Sequence, residues 1–117
     1  MLQDLYTPQG ETLRGIPWQA YPRPQMRRNS YVNLNGEWDF QSMLEDALPR
    51  HYTKKILVPF CPESLMSGIK EHFPEGSPLC YRRSFVLPDG FRKDRVLLHI
   101  GAADQVTQVF LNKEHLA

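Results

Sequence analysis

Short apolar runs broken by turn residues dominate the chain, and their periods are those of strands. Tyr31 to Phe40, YVNLNGEWDF, reads as strand, tight turn, strand. Asn35-Gly36 sits at the turn because both residues tolerate positive φ. Leu34 and Trp38 flank that turn and are expected to meet on the core side. Lys55 to Phe60, KILVPF, reads as a short buried strand ended by proline. Cys80 to Leu87 alternates, placing Tyr81, Arg83 and Phe85 on one face and Arg82, Ser84 and Val86 on the other. After a Pro88-Asp89-Gly90 turn, Arg95 to Ile100 and Gln105 to Leu111 supply two more strands, joined by Gly101-Ala102-Ala103-Asp104.

The intervening segments carry other signals. Met1 to Asn33 shows no sustained period, and Trp18, Tyr21, Pro22 and Pro24 suggest an extended arm held down by aromatic rings. Gln41 to Lys55 is polar, a loop with one helical turn around Met43 to Ala47. Pro62 to Lys70 predicts a helical turn entered at proline and stopped at Gly68, followed by a loop from Glu71 to Pro78. The expected fold class is all-β, a sandwich of short strands over residues 31–117 with residues 1–30 as the arm. The strand ending at Leu111 is followed by Asn112-Lys113 and little else. Its inner edge is expected to lack a partner, as in a domain cut short at its C-terminus, marginal in stability or dimerising through that edge.

Composition narrows the class. Thirteen Phe, Trp and Tyr residues and 41% hydrophobic residues can offset chain ordering, so disorder is not expected. Fourteen Lys+Arg against thirteen Asp+Glu, a net +1, excludes an electrostatic nucleic-acid binder. The longest apolar stretches, such as Val96-Leu97-Leu98, are too short to cross a bilayer, and the N-terminus lacks the pattern of a signal peptide. Two cysteines, Cys61 and Cys80, are too few for a disulfide framework; a cytoplasmic protein with reduced thiols is the simpler expectation.

Candidate chemistry is sparse. His51, His72, His99 and His115 lack the paired spacing of zinc sites, and no Gly-rich phosphate loop occurs, so neither metal nor cofactor is expected. Arg27-Arg28 and Lys54-Lys55 read as surface charge. Cys61 and Cys80 flank one loop and read as free structural thiols. Arg83, between Tyr81 and Phe85, needs a carboxylate if half-buried, and Asp39, Glu63 or Asp104 could supply it. Asp104 also suits the tight corner that begins at Gly101. Trp18, Tyr21 and Tyr31 would stack on sugar faces if exposed, or fix the arm if packed.

Three stretches together resemble the N-terminal β-sandwich, the sugar-binding domain, of glycoside hydrolase family 2, which includes β-galactosidases, β-glucuronidases and β-mannosidases. The first runs from Tyr21-Pro22-Arg23-Pro24 and Arg27 through Asn33-Leu34-Asn35-Gly36 to Trp38-Asp39-Phe40. The second is Ile56-Leu57-Val58-Pro59-Phe60-Cys61-Pro62-Glu63-Ser64 with Ser67-Gly68-Ile69. The third comprises Tyr81-Arg82-Arg83-Ser84-Phe85, Arg95 through Asp104, and Val109-Phe110-Leu111-Asn112. Their order and spacing across residues 21–112 make the match specific.

The resemblance implies a jelly-roll, galactose-binding-domain-like sandwich, incomplete at the C-terminus, whose partners are the catalytic barrel and further β-domains of a parent chain. It implies a retaining O-glycosidase of β-galactosidase or β-glucuronidase type as parent. The two catalytic glutamates lie in the barrel, about 5 Å apart, so no catalytic residue is expected among these 117. Carbohydrate would be a ligand of the full-length enzyme. The loop after Val58-Pro59 is the remaining candidate for sugar contact, with Glu63 and Ser64 as candidates and Ser67 nearby. The competing expectation is that Glu63 pairs with Arg82 or Arg83, or caps the short turn. Asn35, Gly36, Trp38, Tyr81, Arg83, Asp104 and Asn112 are the structural members of the motif. Family members carry Asn-Gly where Asn112-Lys113 stands here. A lysine at positive φ costs about 1 kcal/mol relative to glycine, so the turn is either of another type or strained.

Overall fold

The structure, a computed structural model, describes residues 4–117. Its regular structure is all-β in class: every strand pairing is antiparallel, and helix is confined to a five-residue segment and two single 3-10 turns. Residues up to Val86 form one compact unit and Leu87–Ala117 a second.

In the first unit, β1 (Gly36–Ser42) lies between β2 (Lys54–Val58) and β3 (Leu79–Arg82), giving the order β2-β1-β3. The register opposes Trp38 to Ile56, Asp39 to Lys55 and Arg82, and Phe40 to Lys54 and Tyr81. Because side chains alternate across the sheet, this register sorts them by polarity. One face carries Trp38, Phe40, Ile56 and Tyr81, with Lys54 at its edge reaching over the Phe73 ring to Glu71. Phe40 is completely buried and Ile56 is 1% exposed; the Phe40 ring packs 5.2 Å from that of Tyr81 and 5.6 Å from that of Phe73. The other face is an ionic lattice. Asp39 accepts from Lys55 at 2.6 Å on one side and from Nε and Nη2 of Arg82 at 2.9 and 2.7 Å on the other. Arg82 also lies 4.2 Å over the Tyr52 ring.

Several elements differ from the sequence expectation, each for a physical reason. Residues 31–35 are not a strand, and Asn35-Gly36 does not close a hairpin: the Asn33 and Asn35 side chains engage Trp18 instead, so the segment enters β1 directly. No helical turn forms at Met43 to Ala47, where the Ala47 amide bonds Glu45 two residues back. The single turn in the next loop spans Leu65–Ser67 rather than beginning at Pro62, because Ser64 supplies the cap; Gly68, at φ 81°, ends it as expected. The strand from Cys80 stops at Arg82, where pairing with β1 runs out. The N-terminal arm contains a short helix, α1 (Pro8–Thr12), capped by Thr7, and a 3-10 turn at Pro24–Met26.

In the second unit Arg95 to Ile100 forms no strand; no pairing partner lies beside it among the described residues, and its apolar side chains stay exposed. Of Gln105 to Leu111 only β4 (Phe110–Leu111) is extended and paired. The expectation of an unpartnered strand is corrected here: β5 (Glu114–His115) pairs with β4, and Val109 bonds Leu116 and Ala117 beyond it. Phe110 and His115 stack edge-to-face at 5.0 Å across the hairpin. Asn112 and Lys113, at φ 50° and 72°, are both left-handed, as in a type I′ turn. Of the two alternatives for this turn, strain is therefore the one adopted.

Two predictions follow from these contacts. Lys55 and then Arg82 hold the Asp39 carboxyl below its ordinary value of 3.8, so its contribution to stability is full above that pH and lost as pH falls through the lower, folded-state value. Asp39→Asn should lower stability near neutrality and flatten that acid-side loss in urea titrations followed by circular dichroism. Lys113→Gly should stabilise the terminal hairpin by about 1 kcal/mol, read as slower hydrogen exchange at the Val109 and Leu116 amides.

Candidate functional site

The loop that leaves β2 is built by its own backbone and hydroxyl groups. The Val58–Pro59 peptide is cis, and the Phe60 amide bonds back to Leu57 O at 3.0 Å. Ser64 Oγ donates to Cys61 O at 2.8 Å and accepts from the Ser67 amide at 3.2 Å. Ser67, 1% exposed, lies within hydrogen-bond distance of Ser64 O and Pro62 O and accepts from the Ile69 amide at 3.0 Å. Both serines thus hold the loop in shape, as buried or half-buried hydroxyls must be partnered.

Glu63 projects from the rim of this loop. It is exposed, makes no ion pair among the described residues, and neither meets Arg82 or Arg83 nor caps the turn. Its charge is felt by Tyr81. Burial first, and then the neighbouring Glu63 and Cys61, push the Tyr81 phenol up to about 12. Burial likewise raises the Cys80 thiol, with Asp46 adding to it, and both cysteines are free.

Trp18 stands beside the loop. Its ring lies 5.5 Å from Phe60 at a 45° tilt and is 66% exposed. The backbone at Trp18 is left-handed, φ 49°, a conformation costing on the order of 1–2 kcal/mol for a residue with a side chain. Asn33 Nδ2 holds it there, donating to Trp18 O at 2.9 Å, with Asn35 Nδ2 at 3.5 Å. Asn33 Oδ1 in turn accepts from the Asn35 amide at 2.8 Å.

Four of the structural members of the motif, Asn35, Gly36, Trp38 and Arg83, meet beside these asparagine contacts. Gly36 has φ 130°, and a Cβ there would stand 3.1 Å from Ile16 and 3.2 Å from Arg83 Nη1. Arg83 finds no carboxylate, contrary to the expected pairing. Its Nη1 donates to Leu34 O at 2.5 Å and Asn35 O at 2.8 Å, the two N–H groups of one amino nitrogen reaching two adjacent carbonyls. Trp38 Nε1 donates to Leu34 O at 2.7 Å, so Leu34 and Trp38 do approach, through backbone rather than across a hairpin. Asp104 and Asn112 belong to the second unit. There Asp104 Oδ1 accepts from the Gln105 amide at 2.8 Å, and Asn112 forms the hairpin turn.

Sequence reasoning missed Asn33 as the anchor of Trp18; the Asn-x-Asn spacing was its only available signal. In chemical terms the loop offers an aromatic face and a free carboxylate, the two groups that take the C–H face and the hydroxyls of a sugar. No group of three His, Cys, Asp or Glu side chains able to hold a metal gathers among the described residues, and none of their helices is long and apolar enough to cross a membrane. No model of a known protein family matches the chain, and no curated protein matches it at a significant level.

An alkaline titration followed by tyrosinate absorbance tests the Tyr81 environment. Tyr81→Phe should remove a phenol ionising near 12, and Glu63→Gln should move that ionisation to lower pH by deleting a neighbouring negative charge.

Proposed function

We propose that the chain is a non-catalytic scaffold of the sugar-binding type that opens glycoside hydrolase family 2 enzymes, folded toward a jelly-roll sandwich and forming one wall of a sugar site. The hydrolytic carboxylates belong, on this reading, to a barrel elsewhere in the parent chain. The observation that carries the proposal is the motif order across residues 21–112. Support comes from the motif residues Asn33, Asn35, Gly36, Trp38 and Arg83, which form one hydrogen-bonded and packed knot. The exposed apolar positions of Arg95 to Ile100 are those the sandwich would cover with other strands. Substrate contact from this chain would fall to Glu63, with Ser64 shaping its loop.

A second reading, a carbohydrate-binding module acting alone, is favoured by the exposed ring of Trp18 beside Phe60. The two differ in measurable ways. The scaffold should show no turnover of nitrophenyl glycosides above a contaminant control and no change in tryptophan fluorescence with neutral monosaccharides at millimolar concentration. A module should quench or enhance that fluorescence saturably and lose the response in Trp18→Ala. Sequencing beyond codon 117 is the direct test of parentage: an in-frame barrel bearing two suitably placed glutamates supports the scaffold, and an immediate stop codon overturns it. Turnover by the purified chain itself would overturn both readings.

A further inference from the structure

A recess lies in the N-terminal arm, between residues 19–21 and 27–31. It has a volume of about 330 Å³, within the size range of small-molecule sites, roughly 300–1,000 Å³. Prolines build it. Pro22 and Pro24 fix φ on either side of Arg23, and the 3-10 turn Pro24–Met26, closed by the Met26 amide on Arg23 O at 2.9 Å, doubles the chain back on itself. That return sets the Tyr31 ring 4.5 Å from Tyr21, edge-to-face at 64°.

The lining has one sign of charge. Arg27 and Arg28 both border the recess, no carboxylate does, and neither guanidinium has an ion pair among the described residues. Asn29 and Gln19 add amide groups at the same rim. Two unpaired guanidiniums call for an anion, which they bind through charge-assisted and bidentate hydrogen bonds. The tyrosines call for a body attached to that anion. Their edge-to-face arrangement presents a single ring face rather than the two parallel faces that clamp a flat aromatic group. Such a face accepts the C–H groups of a saturated ring, and the amides can serve its hydroxyls.

We propose that this recess is a binding site for a monosaccharide bearing one carboxylate or phosphate group, held by Arg27 and Arg28 at the anion and by Tyr21 and Tyr31 at the ring. The site shares no residue with the β2 loop and stands or falls separately from the scaffold reading. Pre-formation by the proline turn reduces the ordering cost of binding.

Calorimetric titration of the 117-residue chain with glucuronate, glucose 6-phosphate, glucose and inorganic phosphate tests it. Saturable millimolar binding is expected for at least one acidic sugar, and which one responds identifies the anion. Glucose and inorganic phosphate should each bind about tenfold or more weakly. Arg27→Gln with Arg28→Gln should weaken the acidic sugar by about tenfold or more, with circular dichroism unchanged because both side chains are exposed. Tyr31→Leu should weaken the sugar while leaving inorganic phosphate unaffected. Absence of saturable binding by both acidic sugars overturns the proposal. So does phosphate or glucose binding as tightly as its acidic counterpart, or an affinity indifferent to the paired arginine substitutions.

Discussion

Strand β1 is the constraint on which the first unit depends, since it alone among the described strands is paired along both edges. Seven residues must satisfy two ladders while presenting different chemistry to each face. Phe40 does this for the apolar side and Asp39 for the polar side, one position apart. A register slip by one residue would turn Phe40 to water and bury Asp39, so the alternation and the ionic lattice enforce the same pairing. With Phe40 and Ile56 the only strand side chains sealed from solvent among the described residues, there is little redundancy behind that arrangement.

The entrance to β1 shows how local sequence reaches the candidate site. Gly36 leaves room for Arg83, Arg83 ties β3 to the carbonyls of Leu34 and Asn35, and the neighbouring amides hold Trp18 beside Phe60. Positions far apart in the chain thereby set the direction of one exposed indole. Backbone strain at Trp18 is tolerated because hydrogen bonds from two asparagines oppose its release.

Much of this was legible in the residues. The strand through Trp38 to Phe40, the apolar run before Pro59, the stop at Gly68 and the turn at Asn112-Lys113 are local signals, and the structure carries each of them. What was not legible depended on competition. Asn35-Gly36 has the chemistry of a hairpin, but the asparagine amides found a carbonyl fifteen and seventeen residues away. The charge of Arg83 suggests a carboxylate partner, whereas its Nη1 amino group donates to two backbone oxygens. The Arg95 to Ile100 stretch has strand composition, yet composition cannot create the neighbour that a strand's backbone requires. At the candidate site, Glu63 was named from its loop; its influence on Tyr81 needed three-dimensional proximity to appear.

The uncovered run Val96-Leu97-Leu98-His99-Ile100 has a consequence for how the molecule behaves in concentrated solution. A short, uncharged, β-prone segment with free amides is a template for intermolecular cross-β growth. Immediately before it stand Arg92, Lys93, Asp94 and Arg95, all exposed. Such charges act as gatekeepers: stacking identical chains in register would bring like charges together at every layer. Colloidal behaviour should therefore be governed by ionic strength, since the salt that screens this tetrad removes the electrostatic brake while leaving the sticky run untouched.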